Sequence, residues 1–229
     1  MELLRVKSKE ERLWYINKII EHGWSLKVLE YQIDTNLYER QKESEKISNL
    51  STKLPSPHSE LAIETMKDTY VFDLLELKRD AKEKDLEKSL INNITKVMLE
   101  LGKGFAFIGN QYHLEVDGND FYIDLLFYNV KLKCYVVIEL KNTEFKPEYA
   151  GKLSFYLTAV DELLKDDNDN PTIGLLLCKN KNNVIAEYTL RDINKPVGVS
   201  TYKIKDYLPE NLQNKLPSLE ELVSKVSKK

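Results

Sequence analysis

Apolar residues near the start of the chain recur at helical spacing. Leu13, Ile16, Ile19 and Ile20 form one stripe, with Ser8 and Glu11 in capping-box spacing ahead of it and "EHG" closing the run. Ser25 is placed to cap a second helix with the stripe Val28, Leu29, Ile33 and Leu37, and Trp24 is set to staple back onto Leu29. Residues 41–59 are polar and contain "LPSPH". They read as a loop, because each proline disfavours helix in the residue before it. A short helix over 59–67 follows, then "TYVFDLLELKRD".

From about Asp80 the pattern is cleaner. Leu86, Leu90, Ile94, Val97, Met98 and Leu101 make one stripe of a long helix that stops at Gly102. Three strand-like runs follow, "FAFIGNQYHLEV", "FYIDLLFY" and "CYVVIEL", the first two joined through the hairpin turn residues Asp117, Gly118 and Asn119. Residues 146–165 read as a helix, "DDNDNP" as a loop, "TIGLLLC" as a buried strand, 183–190 as a short helix and "VGVSTYKI" as a last strand. The tail from 208, with "SLEELVSKVSKK", reads as a solvated terminal helix. Strands in a row, followed by helical crossovers to further strands, predict an α/β fold with a mixed sheet covered by helices. The second and third strands, apolar on both faces, belong at its centre.

Composition narrows the chemistry only a little. The 229 residues carry 34 Lys and Arg against 37 Asp and Glu, a formal net charge of −3. No strongly basic coat advertises a nucleic-acid partner, but an acidic metal site can offset a basic groove elsewhere, so near-neutrality does not exclude one. No apolar run is long enough for a signal peptide or membrane span, which predicts a cytoplasmic protein with no membrane partner. Cys134 and Cys178 sit in strand-like runs and read as buried reduced thiols. The histidines His22, His58 and His113 form no zinc-binding pair.

Two stretches look alike, "LLELK" at 74–78 and "VIELK" at 137–141. Glu-x-Lys alone is a weak signal, and it recurs at Glu144 and Lys146. The setting separates the copies. In "YVVIELK" the alternation of a strand puts Glu139 and Lys141 on one face and Val136, Ile138 and Leu140 on the other. The preceding strand is apolar except for Asp124. If the two strands form a hairpin about Lys131 and Leu132, Asp124 faces Glu139, with Cβ atoms about 4.5–5.5 Å apart. Two carboxylates so placed repel each other without a cation and suit a hard divalent ion. A buried ion pair with Lys141 is the plainer alternative, and it leaves one carboxylate uncompensated. Glu87 borders the stripe of the long helix and can point towards the sheet or into solvent. "LLELK" has no aspartate-bearing strand to face it and reads as a chance match with its charges in solvent.

These residues carry a resemblance. Glu87 on a helix, "YID" with Asp124 and "IELK" with Glu139 and Lys141 resemble the PD-(D/E)-x-K nuclease superfamily. Over about 69–207, "LGKGFAFIGNQYHLEVDGNDFYIDLLFYN", "VIELKNTEFKPEYAGKLSFYL" and "TIGLLLCK" are similar to the nuclease domain of the YhcG-type family, and "GWSLKVLEYQID", "LYERQ" and "LPSPHSELA" to the segment preceding it. Two departures stand out. Ile123 replaces the family's usual proline, and most of its helical N-terminal domain is missing, so the chain reads as a fragment or short variant. The resemblance implies a restriction-endonuclease-like fold with a helical segment over 1–68, a nuclease domain over 69–207 and a helical tail over 208–229. It also implies metal-dependent phosphodiester hydrolysis of nucleic acid, DNA ahead of RNA. Asp124, Glu139, the Leu140 carbonyl and Glu87 would bind Mg²⁺, or Mn²⁺ in its place, and Lys141 would orient or deprotonate water, its pKa lowered by the nearby cations. Lys152 and Tyr156 on the following helix, and Gln111 on the first strand, are candidates for substrate contact. A nuclease fold that grips nucleic acid or a partner protein without cutting is the alternative. The apolar N-terminal helices are a candidate surface for a partner protein or a second copy of the chain.

Overall fold

The computed structural model describes residues 2–42, 46–72 and 82–204. "LLELK" at 74–78 and the tail from 208 lie outside them. Helices α1 (Lys9–His22), α2 (Leu26–Asp34) and α3 (Leu37–Lys42) open the chain after a short 3-10 turn. Next come β1 (Ile47–Ser48), α4 (Leu50–Lys53), α5 (His58–Thr65) and β2 (Thr69–Phe72). Helices α6 (Glu83–Asn92) and α7 (Ile94–Leu101) lead into β3 (Phe105–Val116), β4 (Asn119–Asn129) and β5 (Cys134–Glu144). Helix α8 (Pro147–Leu163), β6 (Ile173–Asn180), α9 (Asn183–Arg191) and β7 (Val197–Ile204) follow.

The seven described strands make one mixed sheet in the order β1-β7-β6-β5-β4-β3, with β2 also pairing with β7. Strands β3, β4 and β5 are antiparallel neighbours, whereas β5, β6 and β7 run parallel through the crossovers α8 and α9. Alternation along the strands builds two apolar layers. Leu125, Phe127, Val136, Ile138, Leu140, Leu175 and Leu177 pack against α4 to α7. Leu126, Val137, Leu176, Cys178 and Val199 pack against α8 and α9. Cys134 and Cys178 are buried and free, as expected.

Two local readings change. The expected long helix is two helices that meet at Asn93, whose side chain donates to the Ser89 carbonyl. Leu86, Leu90, Val97 and Leu101 still bury on one side, so the apolar stripe runs across the break without showing it. Helix α1 starts on the Ser8 cap and ends at Gly23 in the left-handed region, as its sequence suggests. It buries Tyr15, with Trp14 and Ile19 beside it, against Leu29, Leu37 and Tyr38. Leu13, Ile16 and Ile20 lie on its exposed side, because aromatic area outweighs the aliphatic stripe in this small cluster. The expected 41–59 loop contains β1, which pairs with β7 at Ile47 and Val199, and α4, whose Leu50 packs into the sheet's core.

The N-terminal helices are tied to the sheet through Glu100 on α7, which is fully buried. Arg40 of α3 donates to it at 2.6 Å and also to the Thr69 carbonyl at 2.9 Å. The Val71 amide donates to the same carboxylate at 2.9 Å, and the Lys67 ammonium lies 3.2 Å from its other oxygen. Burial drives the Lys67 pKa down to about 8 even with Glu100 beside it. Removing one partner of such a cluster strands the others in low dielectric. Glu100→Ala is expected to destabilise the protein by about 3–5 kcal/mol, read from the midpoint of urea unfolding.

Candidate active site

The site forms where β4 leaves β5. The ladder between them follows the register that opposes Asp124 to Glu139, with Leu125 against Ile138 as its last rung. Beyond that rung the Leu140 amide donates to a side chain, Asp124 Oδ2, at 2.9 Å. On the other side of β4 the pairing with β3 shifts register between Phe107 and Gly109, and Gln111 adopts φ 44°, the left-handed region that a non-glycine residue seldom occupies. The hairpin turns there. Phe105 and Phe107 pack with the α6 and α7 layer, whereas Tyr112, Leu114, Phe121 and Ile123 pack with the α8 layer. Ile123 is fully buried at this turn.

Glu139 is 0% exposed. Its Oε1 accepts from Lys152 of α8 at 2.6 Å and lies 3.0 Å from the Lys141 ammonium. Its Oε2 is buried with no hydrogen-bond partner among the described residues. Lys141 also donates to the Leu140 carbonyl at 2.8 Å and to Glu83 Oε1 at 2.9 Å. The second Glu83 oxygen accepts from the Asn142 amide at 3.3 Å. One turn along α6, Glu87 accepts from Gln111 Nε2 at 2.9 Å, and the same nitrogen lies 3.4 Å from Asp124 Oδ1. Glu87 is thus linked to Asp124 through Gln111. Lys152 sits over the Tyr156 ring at 5.1 Å, and that ring is only 4% exposed, a support under the lysine more than an open surface.

The charges shift one another. Burial, then the charge of Glu139, pushes the Asp124 pKa up to about 6, against the pull of the Leu140 amide and the two lysines. For Lys141, burial favours the neutral amine, but the Glu83 hydrogen bond and the carboxylates outweigh it and hold its pKa above the ordinary lysine range. Lys152 is raised likewise, with Glu139 overcoming burial. The surrounding carboxylates set this direction for Lys141, whereas the lowering expected beside bound cations belongs to the ion-loaded protein.

Residues 63–217 match the YhcG PDDEXK nuclease domain family, about two thirds of the chain, and residues 1–40 match the DUF1016 N-terminal domain. The chain belongs to the YhcG nuclease-domain family. A curated relative, "Putative nuclease YhcG" of Escherichia coli (strain K12), is 37% identical over 206 residues, 90% of this chain and 55% of the relative. The chain therefore spans about half the length of that relative. Among solved structures, an EndoMS–dsDNA2 complex aligns with 61% of this chain and 50% of its own at TM-score 0.39 and 16% identity. A repair endonuclease from Pyrococcus abyssi aligns with 57% and 49% at TM-score 0.36 and 12% identity. Likenesses this distant add nothing to the reading of the site.

Whether the residues suit a divalent ion is decided by their own chemistry. Among the described residues Glu83, Glu87, Asp124 and Glu139 meet the cations Lys141 and Lys152, four carboxylates to two ammoniums. The Glu139 oxygen that is buried without a hydrogen-bond partner among the described residues costs about 1–3 kcal/mol as it stands, and it is an oxygen donor of the kind a hard divalent ion takes. Among the described residues no three carboxylate, imidazole or thiolate groups are placed to hold a metal ion together. Mg²⁺ does not need three: it binds through one or two carboxylates and completes its shell with water and substrate oxygens. The donor set fits. Lys141 meanwhile rests on the Leu140 carbonyl and Glu139 Oε1, two of the atoms expected to bind a cation.

Sequence reading missed Glu83. The i, i+4 spacing of Glu83 and Glu87 on one helical face was the available signal, but it has meaning only once α6 is seen to lie along the end of β5. It also missed that Lys152 is a partner of Glu139.

Asp124 gives a test with a definite sign. Its folded pKa, about 6, lies above the ordinary value of 3.8, so its contribution to stability is fully present below pH 4 and is lost as pH rises through 6. Asp124→Asn is expected to stabilise the metal-free protein by about 2–3 kcal/mol at pH 8 and negligibly at pH 4, as measured by urea unfolding in EDTA.

Proposed function

We propose that this chain hydrolyses phosphodiester bonds in nucleic acid, DNA ahead of RNA, with Mg²⁺ or Mn²⁺ as cofactor. The observation that carries the reading is the buried Glu139 carboxylate with one oxygen unpartnered, set between Lys141, Lys152 and the raised carboxyl of Asp124. Asp124, Glu139 and the Leu140 carbonyl would hold the cation, with Glu87 completing the shell directly or through water. Such an ion supplies positive charge at the scissile phosphate and acidity to a bound water. Lys141, drawn off Glu139 and the Leu140 carbonyl, keeps Glu83 as its anchor and places its amine beside the attacking water. Lys152 is half-exposed and free to exchange Glu139 for a phosphate oxygen. Gln111 keeps Asp124 and Glu87 aligned.

The remaining assignments are proposals of the same standing. Residues 1–68 form a helical segment, 69–207 the nuclease domain and 208–229 a tail. Two buried thiols and the absence of any described helix long and apolar enough to cross a membrane support a cytoplasmic location. Leu4, Leu13, Ile16, Ile20 and Leu26 are exposed on the N-terminal segment and support a partner protein or second copy there.

Cleavage of a panel of single-stranded, duplex and branched DNA and RNA with Mg²⁺ or Mn²⁺ tests the reading. Lys141→Ala is expected to lower kcat by about 10²–10⁴-fold, and Glu139→Ala to abolish both cleavage and divalent-ion binding by calorimetry. Cleavage indifferent to both substitutions sinks the assignment, and failure to bind either ion at millimolar concentration favours a non-cleaving binder.

A further inference from the structure

Past the last rung with β5, the β3–β4 hairpin continues as a two-stranded ribbon. Its inner side chains, Leu114, Phe121 and Ile123, turn in to the α8 layer, with Phe121 and Phe155 rings 4.7 Å apart. Its outer side carries a cross-strand aromatic pair that is half in solvent. Tyr122, opposite His113 in the ladder, is 49% exposed, and its ring lies 5.3 Å from the imidazole at a 34° tilt. A ring nitrogen of His113 lies 2.6 Å from Asp120, which fixes the imidazole and, through it, the tyrosine ring. Tyr122 is two residues along β4 from Asp124, about 7 Å of extended chain.

We propose that Tyr122, held by His113, is a stacking platform for the nucleobase next to the phosphate at Asp124, so that the ribbon sets the path of the substrate strand. The inference rests on the nuclease reading and adds a subsite to it. An exposed ring already fixed in place loses little entropy on binding, and every base has a π-face to offer it. Cross-strand pairing alone accounts for two side chains lying together, but not for leaving half of a tyrosine in water at the mouth of a buried site. The ribbon's charges limit the platform. Glu115 and Asp120 pair directly beyond it, and their carboxylates repel phosphate, so the subsite holds a single nucleotide before the strand must turn away.

The test is equilibrium binding of fluorescein-labelled single-stranded and duplex oligodeoxynucleotides in Ca²⁺, with cleavage kinetics in Mg²⁺ alongside. Tyr122→Leu keeps apolar bulk in the strand and removes the π-face, whereas Tyr122→Trp enlarges it. Tyr122→Leu is expected to weaken binding and raise KM roughly tenfold with kcat and the salt dependence of affinity unchanged, and Tyr122→Trp to match or exceed the parent. A single abasic residue, scanned along the strand, should erase the parent's advantage over Tyr122→Leu at one position only. Equal affinity of Tyr122→Leu and parent within twofold overturns the platform, as does a uniform loss at every abasic position, which a merely structural tyrosine would give. If the parent cleaves nothing but the Tyr122→Leu difference in binding persists, the platform stands and hydrolysis fails. If the parent binds no oligonucleotide, both fail.

Discussion

A single carboxylate sets the terms for the centre of this molecule. Glu139 points from the middle of a sheet whose neighbouring positions are leucine, isoleucine and valine, and it has no contact with water. An isolated ion in such a place costs several kcal/mol, and an attractive partner offsets that only with good geometry. The surroundings supply partners from three directions. Lys141 comes from the same strand, Lys152 from the crossover helix α8, and Glu83 on α6 holds Lys141 in turn. Both ammoniums meet the same carboxylate oxygen while the other has no partner, so the described residues leave Glu139 incompletely satisfied. A fold selected for stability alone would put a leucine there.

The rest of the sheet bears that cost. Two apolar layers pack on its opposite faces, and the parallel strands β5, β6 and β7 are buried on both sides. The price of function is confined to one end of β5, where burial and then the charge of Glu139 raise the Asp124 pKa. Strain is localised in the same place: the register shift in β3 and the left-handed backbone of Gln111 lie opposite the turn that brings Asp124 over to Leu140. Such strain persists only where the surroundings over-determine it, and here a packed hairpin and two helices do.

Much of this was legible in the chain, for reasons that differ by residue. The opposition of Asp124 and Glu139 follows from strand alternation and a four-residue turn, both local, so counting residues from the turn recovers the register that the ladder displays. The strands 105–116 and 134–144 announced themselves by composition. Glu83 was not legible, because its role depends on where α6 lies relative to β5, and no local pattern encodes that. The break at Asn93 was hidden by an apolar stripe that keeps its phase across it. Period alone does not say whether a helix turns its isoleucines or its aromatic residues inward, and α1 turns its aromatic residues in.

The departure of β4 from β5 is what makes the pieces one device. A ladder continued past Leu125 and Ile138 would satisfy the Leu140 amide with backbone and seal Asp124 beneath a neighbouring strand. Ending it there gives that amide to the Asp124 carboxylate, so the same bond that closes the sheet's open edge aims the acid at Glu139. It also frees the outer half of the hairpin to turn its apolar side towards α8 and its polar side, with Gln111, His113 and Tyr122, towards solvent. Site and ribbon are therefore consequences of one interrupted rung. A change that restored pairing at that point would regularise the sheet and, by the same hydrogen bond, take Asp124 out of the site.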